Sequence, residues 1–294
     1  MKKKNVIIIT GATASGKSAI ALKIAKEKNG VIINADSMQI YKYISIITAQ
    51  PSQEDKKDIQ HYLYGFVELD DKNYSVGRYL QDLKSTLDFL KTNEPDKTPI
   101  IVGGTMLYIS SIINGISRIP EIDVNIRNEL RKKYENCSVS RIFADLQKID
   151  KEYSLVVDVN NPVRIIRGIE VKLSTGQSIL DFWRMKNQNI FDSEYCFEKY
   201  IVKIPREKLY DKINTRFDKM IDDGLIDEIK KVNSMKLNYL PNAIGLKHMI
   251  NFISGKLTLK TAIELSKKDS RNYAKRQITW FNNKFEDFIQ IPSL

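Results

Sequence analysis

Two periodicities divide the chain. In its first third, apolar runs of strand length at Asn5 to Thr10, Val31 to Asn34 and Pro99 to Val102 alternate with segments of helical spacing at Lys17 to Lys28 and Ser75 to Leu90. That alternation predicts a parallel α/β sheet flanked by helices. From Arg118 to about Phe197 the strand signal fades, and helical periodicity at Val124 to Tyr134, Val139 to Ile149 and Pro162 to Leu173 predicts an all-helical insertion. Tyr200 to Ile204 predicts a returning strand, followed by helices at Arg206 to Ile221, Leu225 to Ser234 and Leu257 to Phe281. The expected organisation is a core of residues 1–117 and 198–294 interrupted by a helical domain of residues 118–197.

The first strand runs into Gly11-Ala12-Thr13-Ala14-Ser15-Gly16-Lys17-Ser18, which meets the phosphate-loop pattern G-x-x-x-x-G-K-[ST] at every fixed position. A strand before it and a helix after it are the context the pattern requires, so the core is expected to be P-loop NTPase-like. Loop amides and the helix dipole would hold a diphosphate or triphosphate, Lys17 would reach its outer oxygens, and Ser18 would reach Mg2+. Residues just after parallel strands converge on such a ligand. Besides the loop, these are Ala35-Asp36-Ser37-Met38-Gln39 and Gly103-Gly104-Thr105. Asp36 fits a general base or an indirect magnesium partner, and equally a helix cap; Thr105 fits a polar ligand contact or a cap. The third strand ends in Gly103-Gly104 where many nucleoside triphosphatases place a magnesium-holding aspartate, which disfavours a hydrolysis-driven motor or switch.

Charge adds a partner class. The net +11 is distributed as +3 over residues 1–117, +1 over 118–197 and +7 over 198–294, and a basic C-terminal third fits a polyanion such as nucleic acid. Lys267 or Lys268, Arg271 and Lys275 recur at helical spacing and are expected to share a face, with Arg276 at its margin. No apolar run approaches the roughly 20 residues of a membrane-spanning helix, and the expected location is cytoplasmic. Cys137 and Cys196 are too few and too isolated for a disulfide framework or zinc site. His61 and His248 are isolated too.

GATASGKS at 11–18, NADSMQIY at 34–41, VGGTMLY at 102–108 and AKRQITWF at 274–281 together resemble the tRNA dimethylallyltransferase (tRNA isopentenyltransferase, IPP transferase) family. Further similarity at Asp123 to Arg127, Asn161 to Val171 and Arg216 to Gly224 extends the resemblance over nearly the whole chain. It implies transfer of a dimethylallyl group from dimethylallyl diphosphate to the exocyclic amine of the adenine 3′-adjacent to the anticodon, by a monomer. The phosphate loop, Gly11 through Ser18, would then hold a prenyl diphosphate with Mg2+. Asp36 would be the base, Thr105 would assist at the amine or diphosphate, and Arg216 would contact the diphosphate. Asp36, Ser37, Met38, Gln39 and Thr105 would meet the flipped adenine, and Arg127, Val163, Arg164, Ile165, Ile166 and Arg167 would meet the RNA of the anticodon stem-loop. Ala12 and Ser18 stand where the family commonly has Pro and Thr, Val163 where it has Gln, and Leu246 where it has an aromatic. Three other readings remain open on the residues alone: a P-loop small-molecule kinase, a prenyltransferase acting on free adenine nucleotides, and an RNA-binding module without catalysis.

Overall fold

The strand that delivers the chain to the phosphate loop lies inside a six-stranded sheet. The computed structural model describes residues 3–185 and 187–293. Its strands are β1 (Lys4–Gly11), β2 (Gly30–Asn34), β3 (His61–Tyr62), β4 (Thr98–Gly103), β5 (Tyr195–Lys203) and β6 (Ile289–Pro292). Their spatial order is β3-β2-β4-β1-β5-β6, and every neighbouring pair is parallel. A parallel strand covered on both faces has no solvent side, which is why β1, β2 and β4 read as continuous apolar runs. Val6, Ile8, Ile9, Val31, Ile33, Ile100 and Ile101 are completely buried.

The chain forms two compact units, Met1–Ile113 with Ile190–Leu294, and Asn114–Asn189. The first holds the whole sheet. Strand β5 begins five residues before the expected Tyr200, and it pairs with β1 from Lys4↔Tyr195 to Gly11↔Val202. Tyr195, Cys196 and Phe197, which the sequence assigns to the insertion, therefore belong to the sheet. Glu198 and Lys199 interrupt the apolar pattern and hide the first half of this strand. Strands β3 and β6 and the helices Gln53–Asp58 and Leu246–Ile253 were not expected either, because each is too short to show a period. The long C-terminal helix is Leu259–Lys284, capped by the Thr258 hydroxyl.

The glycine pair after β4 has a packing cause. A Cβ on Gly103 would lie 2.1 Å from the carbonyl carbon and oxygen of Ala35, so only glycine lets the end of β4 approach the chain leaving β2 this closely. Ala35 N–H donates to the Val102 carbonyl there at 2.8 Å. We expect Gly103→Ala to force these strand ends apart and to lower unfolding free energy by about 3 kcal/mol, the upper range for overpacking. A urea unfolding midpoint checks it.

The second unit is helical: Val124–Tyr134, Val139–Ile149, Lys151–Ser154, Pro162–Thr175 and Ile179–Arg184 surround a core that includes Leu130, Ile142, Leu146, Tyr153, Ile165, Ile169 and Phe182. Gly168 admits the Tyr153 ring, which a Cβ would meet at 2.3 Å.

Candidate functional site

Three loops meet at the carboxyl ends of β1, β2 and β4. The phosphate loop turns through Ala14 (φ 60°) and Gly16 (φ 87°), and Gly16 starts the helix Lys17–Glu27 with no side-chain cap. The amides of Lys17 and Ser18 thus have no protein acceptor among the described residues and are available to an anion. Ser15 serves the loop itself: its amide donates to the Ala12 carbonyl, and its buried hydroxyl has no partner among the described residues. Thr13 is used twice, its amide donating to Gln277 Oε1 at 2.8 Å and its hydroxyl accepting from Arg216 Nη2 at 2.7 Å.

Asp36 stands on a tight turn at the end of β2. Its Oδ1 accepts from the Met38 amide at 2.9 Å, and its own amide donates to Asn34 Oδ1 at 2.8 Å. Asn34 is fixed in turn by Leu63 and by the Tyr79 hydroxyl, which donates to the Asn34 carbonyl. The carboxylate is thus an Asx-turn acceptor, with its other oxygen unpartnered among the described residues. Thr105 lies behind this turn: its hydroxyl accepts from the Ser37 amide at 2.8 Å and donates to Ser37 Oγ at 3.1 Å. It lies behind the walls of the two cavities described next, beside Tyr273, which lines one of them. Its placement makes it a support for Asp36 and Ser37.

Two cavities open on these loops. One, about 610 Å³, is lined by Thr13, Ala14, Gly16, Lys17, Ser18, Asp36, Gln39, Thr48, Arg216 and Lys219, among others. It carries the cationic side chains of Lys17, Lys212, Arg216 and Lys219 against the acidic Asp36 and Asp211. The other, about 250 Å³, has walls of Met38, Ile47, Ile213, Phe217, Met220, Ile244 and Tyr273 with Ser37, Asn242 and Arg276. Thr13, Asp36, Thr48 and Arg216 belong to both. The segment carrying Ile47 and Thr48 is clipped from two sides. Gln39 Nε2 donates to the Thr48 and Ala49 carbonyls, each at 2.8 Å. The Glu228 carboxylate accepts from the amides of Ile46 and Ile47 at 2.7 and 3.0 Å and from the Ser45 hydroxyl. Gln39 is therefore committed to the loop more than to any ligand.

The charges here are strained by burial. Burial lowers the Lys17 ammonium to about 8, against the opposing pull of Asp36, with Arg216 lowering it further. Arg216 is also lowered by burial, Asp36 pulling the other way. The Tyr273 hydroxyl is raised by burial and by the Asp36 charge. Because Lys17 must be protonated to hold an anion, diphosphate affinity should be full below about pH 8 and fall about tenfold per unit above it. The sign for stability is opposite: the folded protein disfavours the charged lysine, so ligand-free stability rises as pH goes from about 8 toward 10.5. Calorimetric titration and thermal melting across pH 7 to 10 would show both trends; flat profiles would separate Lys17 from the anion site.

Oxygen donors for a hard cation are present but sparse. Ser18 and Asp36 line the same cavity, while no group of three His, Cys, Asp or Glu side chains suited to a metal exists among the described residues. Such a donor set fits Mg2+, which keeps waters and takes oxygens from a bound phosphate.

Other predicted residues lie in the helical unit. Arg127 and Arg167 converge on Glu170, Arg127 Nε at 3.9 Å and Arg167 Nη1 at 3.3 Å from its carboxylate. Glu170 is buried, so two helices hold these arginines at a fixed spacing. Arg164 and Val163 are exposed and Ile166 is half-buried, but Ile165 is completely buried in the core. Ile165 is thus removed from the RNA-facing set: in a helix, the position next to Arg164 turns inward. The basic face of Leu259–Lys284 is also partly spent inside the protein. Lys267 pairs with Asp218 at 2.7 Å, and Arg271 donates to Asn214 at 2.6 Å. The sequence reading gave no role to Gln277, Tyr273 or Glu228. Gln277 stood inside a recognised motif, but a buried amide has no sequence signature that separates it from a surface one.

A phosphate loop at the head of an all-parallel sheet, opening on an apolar cavity and faced by a strand-end carboxylate, defines a P-loop transferase architecture. The IPP transferase family model matches residues 39–284. The tRNA dimethylallyltransferase of Bartonella henselae is 38% identical over 98% of both chains, and that of Ehrlichia ruminantium is 41% identical over 97% of this chain and 94% of its own. Among solved structures, the tRNA isopentenylpyrophosphate transferase of Bacillus halodurans superposes with a TM-score of 0.68 at 33% identity, covering 99% of this chain and 90% of that one. A eukaryotic dimethylallyltransferase acting on tRNA gives 0.79 at 26% identity over 99% and 74%. The chain belongs to the IPP transferase family.

Proposed function

We propose that this protein transfers the dimethylallyl group of dimethylallyl diphosphate to the exocyclic amine of the adenine 3′-adjacent to the anticodon of tRNA, releasing diphosphate. The observation that carries the reading is the pair of cavities joined at Thr13, Asp36, Thr48 and Arg216. The cationic one suits the diphosphate. The partly apolar one, with Tyr273 and Met38 in its walls, suits a flat base extruded from the anticodon stack, at a few kcal/mol of unstacking.

In the reaction a C–N bond forms as the allylic C–O bond breaks, and one amine proton is lost. Charge grows on the departing diphosphate oxygens, which the amides of Lys17 and Ser18, the Lys17 ammonium and Arg216 stabilise in place. The loop residues Gly11, Ala12, Ala14 and Gly16 shape this cradle. Mg2+ held through Ser18 would supply further charge neutralisation of the leaving group. Adenine's amine is a weak nucleophile, and the free oxygen of Asp36 takes its proton. Ser37 and Met38 contact the base, with Thr105 holding their turn. Arg127, Arg164 and Arg167 contact RNA phosphates, with Val163 and Ile166 beside them; the cytoplasm is where these substrates meet.

Purified protein is incubated with Mg2+, labelled dimethylallyl diphosphate and an unmodified anticodon stem-loop, with AMP and ATP as parallel acceptors. Label in the RNA alone is expected. Label in free nucleotide overturns the RNA acceptor, and ATP consumption without transfer points to a kinase.

A further inference from the structure

Gln277 is 1% exposed, and both ends of its amide are used on backbone atoms of two chemistry-bearing loops. Nε2 donates to the Gly104 carbonyl at 2.7 Å, and Oε1 accepts from the Thr13 amide at 2.8 Å. Gly104 makes room for it, since a Cβ there would lie 2.5 Å from Nε2. We propose that Gln277 is a specificity-determining positioning residue that, by occupying the Thr13 amide, makes this phosphate loop select a diphosphate ester over a triphosphate.

Thr13 is the one phosphate-loop residue common to both cavities, so it stands where a ligand leaves the anion cradle for the apolar side. In nucleotide-binding loops, the backbone amides together cradle the phosphates. Here the amides of Lys17 and Ser18 stay available to phosphate oxygens, while the Thr13 amide offers nothing to a further one. Its N–H is held by Gln277, and its hydroxyl accepts from Arg216, keeping only its own proton to give. Arg216 lies at the same outlet and Arg276 in the wall of the smaller cavity, so their charge offsets that of Asp36 and the discrimination falls to the occupied Thr13 amide. This proposal rests on the prenyl diphosphate reading for its biological sense, but its test does not require catalysis.

Inorganic diphosphate and inorganic triphosphate, each with Mg2+, are titrated calorimetrically into the full chain. The wild type is expected to bind diphosphate at least about tenfold more tightly than triphosphate. Gln277→Met, which frees the Thr13 amide, should bring the two within about threefold. Gln277→Glu retains an oxygen acceptor for Thr13 and should keep the preference. Should Gln277→Met fail to fold, Gly104→Ala displaces the same amide from outside and should relax the ratio likewise. A wild type without preference, or variants that weaken both anions equally, overturns the proposal. A transfer assay on the same preparation separates the two questions: transfer without anion preference removes the role of Gln277, and anion preference without transfer removes the prenyltransferase reading alone.

Discussion

Asp36→Asn is expected to lower prenyl transfer to RNA about a thousandfold while leaving diphosphate affinity within about threefold of wild type, the range for loss of a positioned general base. Asparagine can still accept from the Met38 amide, as Asp36 Oδ1 does at 2.9 Å, so the turn that carries Ser37 and Met38 should persist. What is lost is the free oxygen able to take a proton. Losing the carboxylate also removes the charge that pulls Lys17 and Arg216 upward, so a modest change in anion affinity accompanies the loss of rate. Single-turnover transfer with saturating substrates, beside calorimetric titration of diphosphate, distinguishes these effects. A variant turning over within tenfold of wild type would show that the amine proton leaves by another route.

Lys17→Met should weaken diphosphate binding strongly and stabilise the resting fold. The ammonium is held at about 8 because burial disfavours its charge. An unbranched apolar side chain of similar length removes that penalty, and the ligand-free variant should melt higher than wild type. Diphosphate affinity should fall at least about a hundredfold with loss of a charge-assisted contact in a desolvated cradle. In wild type the melting temperature should rise with diphosphate concentration, and in the variant it should not. A variant that melts lower and still responds to diphosphate would place Lys17 in the architecture and outside the anion site.

The chemistry of this chain was legible in the sequence where it is local. A phosphate loop occupies eight consecutive residues, and Asp36 follows directly on an apolar run, so strand, turn and ligand group can be read together. The central strands were legible for the same reason, since burial on both faces writes itself as an unbroken apolar run. What escaped is non-local. Strand β5 needs its pairing with β1 to be seen, because Glu198 and Lys199 break its pattern. Gln277 and Thr13 lie 264 positions apart, and Glu228 reaches Ile46 across 182; only the fold joins them. Ile165 was misjudged for a different reason. A run of residues taken from a motif was treated as one surface, although a helix turns each position by 100°.

The way the Ser45 to Ala49 segment is fastened bears on how such a cavity can change over generations. Glu228 and Gln39 grip it through backbone amides and carbonyls and one hydroxyl, and every amino acid except proline offers the amides. The identity of Ile47, which faces the smaller cavity, is therefore uncoupled from the course of the chain that carries it. A lineage, or an engineer, can substitute a residue of similar volume at that position, which also belongs to the core with Phe217 and Met220, and vary the shape of the group admitted while the backbone frame is inherited intact.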